Sequence, residues 1–178
     1  MWKVQGTQFP AGVWGKAPTY SQRPQFSAVK RIFPDRRRKG RMRLDRPTSF
    51  LESVNAMNFM AEAKAYEGEM RAFFEDLHRH PEPSHFEKRT NARIREQLAA
   101  HGIEMLCPAD NITIAVIHGA RPGKTIGMRF DTDALQLQEL CDVPYKSEQD
   151  GLMHGCGHDA HTTCGVFVSR LLQAHREE

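Results

Sequence analysis

The spacing of apolar residues changes along the chain, and this change constrains the fold more than any other feature. Apolar residues recur every three or four positions from Ala61 to His78 and from about Phe86 to Ala100, which is the period of amphipathic helices. Shorter apolar runs follow at Asn111 to His118 and at Thr125 to Phe130, and they predict two strands. The last segment, from about Asp159 to His175, again has a helical period.

This order of elements predicts an α/β fold in which helices pack on a mixed sheet. A glycine- and proline-containing turn over residues 119–123 connects the two predicted strands, so we expect them to be neighbours. Their apolar faces and those of the first two helices need a shared core. The 178 residues are 39% hydrophobic and 26% charged, which is the balance of an ordinary globular domain.

Residues 1–50 differ from the rest of the chain in charge and in pattern. They contain 12 Lys and Arg against 2 acidic residues, whereas the remaining residues contain 13 against 20. Their scattered prolines and lack of a sustained apolar period predict a basic, disordered leader, followed by one folded domain over residues 51–178. The basic run from Arg36 to Arg43 could contact phosphates, but such runs are more often solvated tails, so nucleic acid is not an expected partner.

The hydropathy of the chain indicates its compartment. No apolar run approaches the roughly 20 residues that cross a bilayer, and the amino terminus lacks the apolar block of a secretory signal. An organelle-targeting peptide would also be poor in acidic residues, but the prolines disfavour its amphipathic helix. We therefore expect a cytoplasmic protein without membrane contact, in which the four cysteines are thiols or metal ligands rather than disulfides.

The densest group of potential metal ligands lies between Met153 and His161. It holds one thiol, three imidazoles and a carboxylate, all of which are metal-ligand types. Glycines on both sides of Cys156 favour an extended loop, in which Cys156 and His158 face the same side and can share an ion. Asp159 is expected to cap the helix that follows, with His161 in its first turn.

Each of these residues also has a purely structural explanation. Cys156 could be a buried thiol, the histidines could lie on the surface, and Asp159 could serve only as a helix cap. A nucleophilic or redox-active Cys156, with a neighbouring histidine as base, is another alternative. Their combination between glycines favours a metal site, although two or three ligands do not complete a coordination shell.

Two carboxylates, Asp131 and Asp133, follow the second predicted strand. Alternate residues project the same way, and open sheets often place ligands at the carboxyl ends of their strands. Paired carboxylates there can orient a metal-bound imidazole or balance the charge of the cation. A solvated turn, in which Asp133 bonds to its own backbone, explains the pair equally well.

Residues 77–82, with the sequence Leu-His-Arg-His-Pro-Glu, end the first predicted helix. Their cationic side chains can offset the helix dipole, which explains the motif without a function, although a buried role for His80 and Glu82 stays open. Other reaction classes lack support, because the chain has no glycine-rich phosphate loop, no Gly-x-Ser-x-Gly elbow and no Cys-x-x-Cys pair.

Together these motifs resemble the amidohydrolase branch of the aminoacylase and carboxypeptidase metalloenzymes, which includes hippurate hydrolase and hydrolases of indole-acetyl amino acids. The resemblance covers about residues 61–178, and its last motif is highly specific. The matching segments are residues 77–82, 117–126, 129–135, 143–147 and 153–162.

The resemblance implies a two-domain, homodimeric enzyme that binds a pair of divalent ions and hydrolyses N-acyl amino acids or related amides. Cys156 and His158 would be metal ligands, and Asp133 would be the catalytic aspartate that orients the metal site. Asp131 would lie beside it. A thiolate with an imidazole suits zinc best, and manganese, cobalt and nickel stay open. One departure is Phe130, where the family commonly has alanine, and we expect it to crowd the strand end.

Members of this family continue to a Glu-Glu pair that supplies the general base and a metal ligand, then to two further histidine ligands and a dimerisation domain. The sequence therefore resembles an amino-terminal fragment, and we expect it to be inactive alone, because losing a general base costs about 10²–10⁴ in rate. The alternative is a basic-tailed nucleic-acid-binding or interaction protein built on a decayed enzyme half, with salt-sensitive binding through its leader.

Overall fold

A computed structural model describes residues 58–177. The elements are α1 (Phe59–Ala65), α2 (Glu67–Arg79), α3 (Lys88–Ala100), β1 (Glu104–Ala109), β2 (Ile112–Val116) and α4 (His158–Ala174). The predicted leader, its boundary at residue 51 and its basic run lie outside the described residues. Within residues 58–177, no helix has the length and apolar character needed to cross a membrane.

The first predicted helix is present but is interrupted at Tyr66. Asn58 begins α1, because its side-chain oxygen accepts a hydrogen bond from the N–H of Ala61 at 3.0 Å. At Tyr66 the backbone takes φ −88° and ψ −1°, and its N–H bonds to the oxygen of Ala63 at 3.2 Å. The prediction of one uninterrupted helix is wrong at this point, because an interruption of a single residue barely disturbs the apolar period.

The sheet in the described residues is an antiparallel hairpin of β1 and β2. β2 lies within the predicted strand Asn111 to His118, but its partner is β1 rather than the segment Thr125 to Phe130. The pairing is irregular between Leu106 and Ala109, where Pro108 has no N–H to donate. That proline is also why the sequence did not predict β1, since a proline within an apolar run argues against a strand.

The segment Thr125 to Phe130 is not a strand, which corrects the prediction of two neighbouring strands joined through it. Ile126 and Met128 are 84% and 57% exposed. Extended backbone forms a strand only when a neighbour satisfies its N–H and C=O groups, and none of the described residues pairs with this segment. The next residues that pair with another segment are Ala134 and Leu135, which form isolated β-bridges.

The core lies between α2, α3 and α4. Among the apolar residues of α4, Phe167 is buried, whereas Cys164 is exposed and Leu172 is 46% exposed. The buried face of α4 also includes Arg170, whose guanidinium lies 4.4 Å from the ring centroid of Tyr66. The buried apolar side chains of this core are Phe73, Leu77, Ile94, Leu98, Ile103, Val166 and Phe167.

Candidate metal centre

His158 is the first residue of α4, and Asp133 fixes its imidazole. Nδ1 lies 2.9 Å from the carboxylate Oδ1 and 2.9 Å from the main-chain oxygen of Asp133. A carbonyl oxygen can only accept, so Nδ1 carries the proton and donates it. The neutral ring therefore presents an unprotonated Nε2, which is the form that binds a metal. The side chain is 20% exposed, so an ion can reach it.

Cys156 lies two residues before His158, in a turn with Gly155 rather than in an extended loop. Gly157 has φ 82°, in the left-handed region that glycine tolerates, and it leads the chain into α4. The predicted alignment of Cys156 and His158 along extended backbone is therefore wrong in its geometry. Cys156 is exposed and forms no disulfide, as is true of the other three cysteines, so its thiol is open to a cation.

Asp131 contacts the first turn of α4 through its backbone. Its N–H donates to Nδ1 of His161 at 3.2 Å, and its carbonyl accepts from Oγ1 of Thr162 at 2.9 Å. Its carboxylate forms an ion pair with the exposed Arg129. The structure thus brings both Asp131 and Asp133 to the start of α4, as a shared site requires, while the carboxylate of Asp131 is turned to another partner.

Phe130 packs against Gly165 of α4, where the lack of a side chain leaves room for its ring. A Cβ at Gly165 would lie 2.6 Å from the Phe130 ring, closer than two such atoms can approach. The same ring packs edge-on against His161, with centroids 5.1 Å apart. The expected crowding is therefore relieved by α4, and Phe130 helps to hold the ring of His161.

Asp159 is not the cap of α4, which corrects its predicted role. The helix begins at His158 with Gly157 at the cap position, so Asp159 lies within the first turn. Asp159 is 2% exposed, and its Oδ2 lies 2.6 Å from Nδ1 of His78 in α2. A buried carboxylate needs a charged or hydrogen-bonding partner, and the imidazole supplies one from across the core.

His78 and Glu139 complete a buried network that the sequence did not reveal. Nε2 of His78 lies 3.1 Å from Oε1 of Glu139, whose Oε2 accepts from the N–H of Ser147 at 2.6 Å. Burial alone would lower the pKa of His78, but its bonds to Asp159 and Glu139 outweigh burial and raise that pKa. Burial would likewise raise the pKa of Glu139, yet the Ser147 N–H and His78 lower it. Both ring nitrogens of His78 face carboxylate acceptors, and a ring that donates from both nitrogens is the protonated cation.

The motif over residues 77–82 contains one member of this network, His78. The sequence left open a buried role for His80 and Glu82 instead. The carboxylate of Glu82 accepts two N–H groups in the first turn of α3, at 2.9 and 2.7 Å, and so stabilises the start of that helix. The ring of His80 bonds to the backbone of its own helix at 2.8 Å. The main-chain oxygen of Glu82 accepts from the N–H of Ala134 at 2.8 Å, which ties the motif to the residue after Asp133.

His154, the third imidazole of the predicted cluster, faces the interior. It is 5% exposed, and neither ring nitrogen has a hydrogen-bond partner among the described residues. Burial lowers the pKa of His154 and favours its neutral form. Its ring centroid lies 6.3 Å from that of His78, so it packs against the buried network rather than beside Cys156 at the surface.

The donors at this site fit a divalent ion without completing its shell. Cys156 offers a surface thiol and His158 an unprotonated Nε2, a combination that suits zinc and related ions. Within residues 58–177, no group of three or more His, Cys, Asp or Glu is arranged to hold an ion. The ligand roles of Cys156 and His158 stay predictions, and the described residues offer two ligands of the usual four.

Comparison with known proteins identifies related sequences. Residues 127–178 match the model of the peptidase family M20/M25/M40. N-acetylcysteine deacetylase of Bacillus subtilis is 40% identical over 117 residues, which are 65% of this chain and 31% of that protein. An uncharacterized hydrolase of Staphylococcus aureus is 45% identical over 95 residues, which are 53% of this chain and 24% of that protein. The chain therefore spans a third or less of the length of these relatives.

A solved structure has the same fold. The crystal structure of the Bacillus subtilis YXEP protein, described as a dinuclear metal binding peptidase from the M20 family, aligns with a TM-score of 0.61 and 40% identity. The alignment covers 64% of this chain and 32% of that one. It confirms the predicted class of helices packed with a sheet. The sequence match over residues 127–178 and the shared fold make this part of the chain similar to members of the peptidase family M20/M25/M40.

Proposed function

We propose that this chain supplies part of the catalytic site of a metal-dependent amidohydrolase that releases an amino acid from N-acyl amino acids. The observation that carries the proposal is the bond between Asp133 and His158, which leaves Nε2 available two residues after the exposed Cys156. The name of the related N-acetylcysteine deacetylase supports an acylated amino acid as the substrate class. Hippurate and N-acetyl amino acids are therefore the first substrates to test.

The residues of this chain prepare the site for a divalent ion. When bound, such an ion polarises an amide carbonyl and lowers the pKa of coordinated water toward ~7. Asp133 acts as a positioning residue, since it keeps the proton of His158 on Nδ1 and turns Nε2 outward. Zinc is the ion that a thiol and an imidazole suit best, with manganese, cobalt and nickel as alternatives.

Metal retention tests the ligand assignment. The chain and a Cys156→Ala variant are loaded with zinc and dialysed, and their metal content is measured. We expect the variant to lose most of the metal that the chain retains, because one of two ligands is removed. Cys141→Ala is the matched control, since Cys141 is an exposed thiol outside the site. Equal metal content in all three proteins would contradict the assignment.

A chimera tests the catalytic role. Residues 58–177 replace the corresponding segment of the Bacillus subtilis N-acetylcysteine deacetylase, and hydrolysis of N-acetylcysteine is measured. We expect the chimera to be active and its Cys156→Ala form to fall to background, while the 178-residue chain alone stays near background, because its described residues supply only two ligands. Full activity of the Cys156→Ala chimera would refute the proposed function.

A further inference from the structure

The first turn of α4 carries two histidines with opposite tautomers. His158 donates from Nδ1 to the main-chain oxygen of Asp133, whereas Nδ1 of His161 accepts from the main-chain N–H of Asp131. A neutral imidazole has one N–H, so the proton of His161 lies on Nε2. Both assignments rest on main-chain groups, whose donor and acceptor roles cannot reverse.

A protonated Nε2 cannot bind a metal, but it can donate a hydrogen bond. Among residues 58–177 the Nε2 atom of His161 has no hydrogen-bond partner, and unlike the ring nitrogens of His154 it is not buried. We propose that His161 stays outside the metal shell and donates from Nε2 to an acceptor oxygen, carbonyl or carboxylate, of an N-acyl amino acid held at His158. This inference deepens the proposed function and rests on it.

The position of His161 suits this role. Its ring is held on one side by the Asp131 N–H and on another by the edge of Phe130, which itself lies against Gly165. The ring centroids of His158 and His161 are 6.4 Å apart. A metal–nitrogen bond of about 2.0–2.1 Å, a metal–oxygen bond of about 2.0–2.2 Å and a hydrogen bond of about 2.7–3.2 Å together reach about 7 Å in line, which is enough to bridge two neighbouring rings. A ligand held at His158 therefore comes within reach of His161.

The tautomers are tested by nitrogen-15 NMR of the full 178-residue chain, first without metal and then with cadmium-113. We expect His161 to show a protonated Nε2 in both states, and we expect cadmium coupling to Nε2 of His158 but to neither nitrogen of His161. A protonated Nδ1 on His161, or coupling of cadmium to its ring, would overturn the inference. Absence of coupling to His158 would instead sink the proposed function, while the tautomer of His161 remains measurable in the metal-free chain.

The donated hydrogen bond is tested by binding of N-acetylglycine to the zinc-loaded chain. His161→Asn keeps an oxygen near the position of Nδ1 for the Asp131 N–H and removes Nε2, so we expect binding about five- to tenfold weaker with unchanged thermal stability. His118→Asn, at an exposed histidine, is the matched control and should bind normally. N-acetylglycinamide identifies the acceptor, because it keeps the carbonyl and lacks the carboxylate. No saturable binding to the zinc-loaded chain, or equal binding by His161→Asn, would overturn the inference.

Discussion

His78 and His158 each bond to a carboxylate, but only His158 keeps a ring nitrogen free. His78 is 8% exposed, and Asp159 and Glu139 engage both of its nitrogens. The His158 side chain is 20% exposed and uses Nδ1 alone, with Asp133 as its partner. The same residue type is therefore a structural cation in one place and a potential metal ligand a short distance away. The number of carboxylates around the ring and its access to solvent make this difference.

Replacing His78 should have the largest effect on stability. His78→Leu leaves the carboxylates of Asp159 and Glu139 buried without their cation, and removing one partner of such a group costs about 3–5 kcal/mol. Urea unfolding measures the loss. His158→Leu should cost much less, because its side chain is partly exposed, and His118→Leu at the surface should change stability by no more than about 0.5 kcal/mol. A His78 variant as stable as the His118 variant would show that the network is not structural.

The bond between Asp133 and His158 is tested by Asp133→Asn. The main-chain oxygen still accepts from Nδ1, but the charged partner of the ring is gone. Loss of such an outer partner typically lowers metal affinity about 10–100-fold, and calorimetric titration with zinc measures it. Asp142→Asn, at an exposed carboxylate, is the control. Unchanged zinc affinity would remove Asp133 from the metal site.

A methyl group at Gly165 should disturb the local structure around His158 and leave the structure around His78 unchanged. Gly165→Ala places a Cβ against the ring of Phe130, and such overpacking costs about 1–3 kcal/mol. NMR should show shifts at His161 but none at His78. Gly68→Ala, where nothing lies within 4 Å of an added Cβ, should be neutral or stabilising. Adding Phe130→Ala to Gly165→Ala should recover part of the lost stability. If the effects of the two substitutions were simply additive, the contact between Phe130 and Gly165 would be contradicted.

The smallest effect that we expect is a difference between wild type and His78→Leu in the pH dependence of their stability. Because the folded-state pKa of His78 is raised above 6.5, its contribution is fully present below pH 6.5 and is lost as pH rises through the raised value. One proton gives a slope of at most about 1.4 kcal/mol per pH unit. His154, whose pKa is lowered, acts in the opposite direction, so the difference between wild type and variant is the quantity to measure. Parallel profiles above pH 6.5 would exclude a charged His78.

The sequence predicted which residues approach the start of α4 better than it predicted the backbone geometry there. The ligand types in the segment from Cys156 to His161, and the approach of Asp133 to it, were readable because short motifs keep their members together in the chain. The turn at Cys156 was not readable, because glycine permits both extended and left-handed backbone. His78 was treated as part of a helix end because its partners, Glu139 and Asp159, are distant in the sequence.

By itself, the sequence determined the helices that form the core, the strand Ile112–Val116 and the residue types at the start of α4. These features follow from the spacing of apolar residues and from side-chain chemistry, and both can be read from residues that are close together in the sequence. Only the tertiary structure decided which strand pairs with which, and which ring nitrogen of His158 and of His161 carries the proton. Strand pairing and proton placement depend on hydrogen-bond partners brought together by folding, and no local pattern specifies those partners.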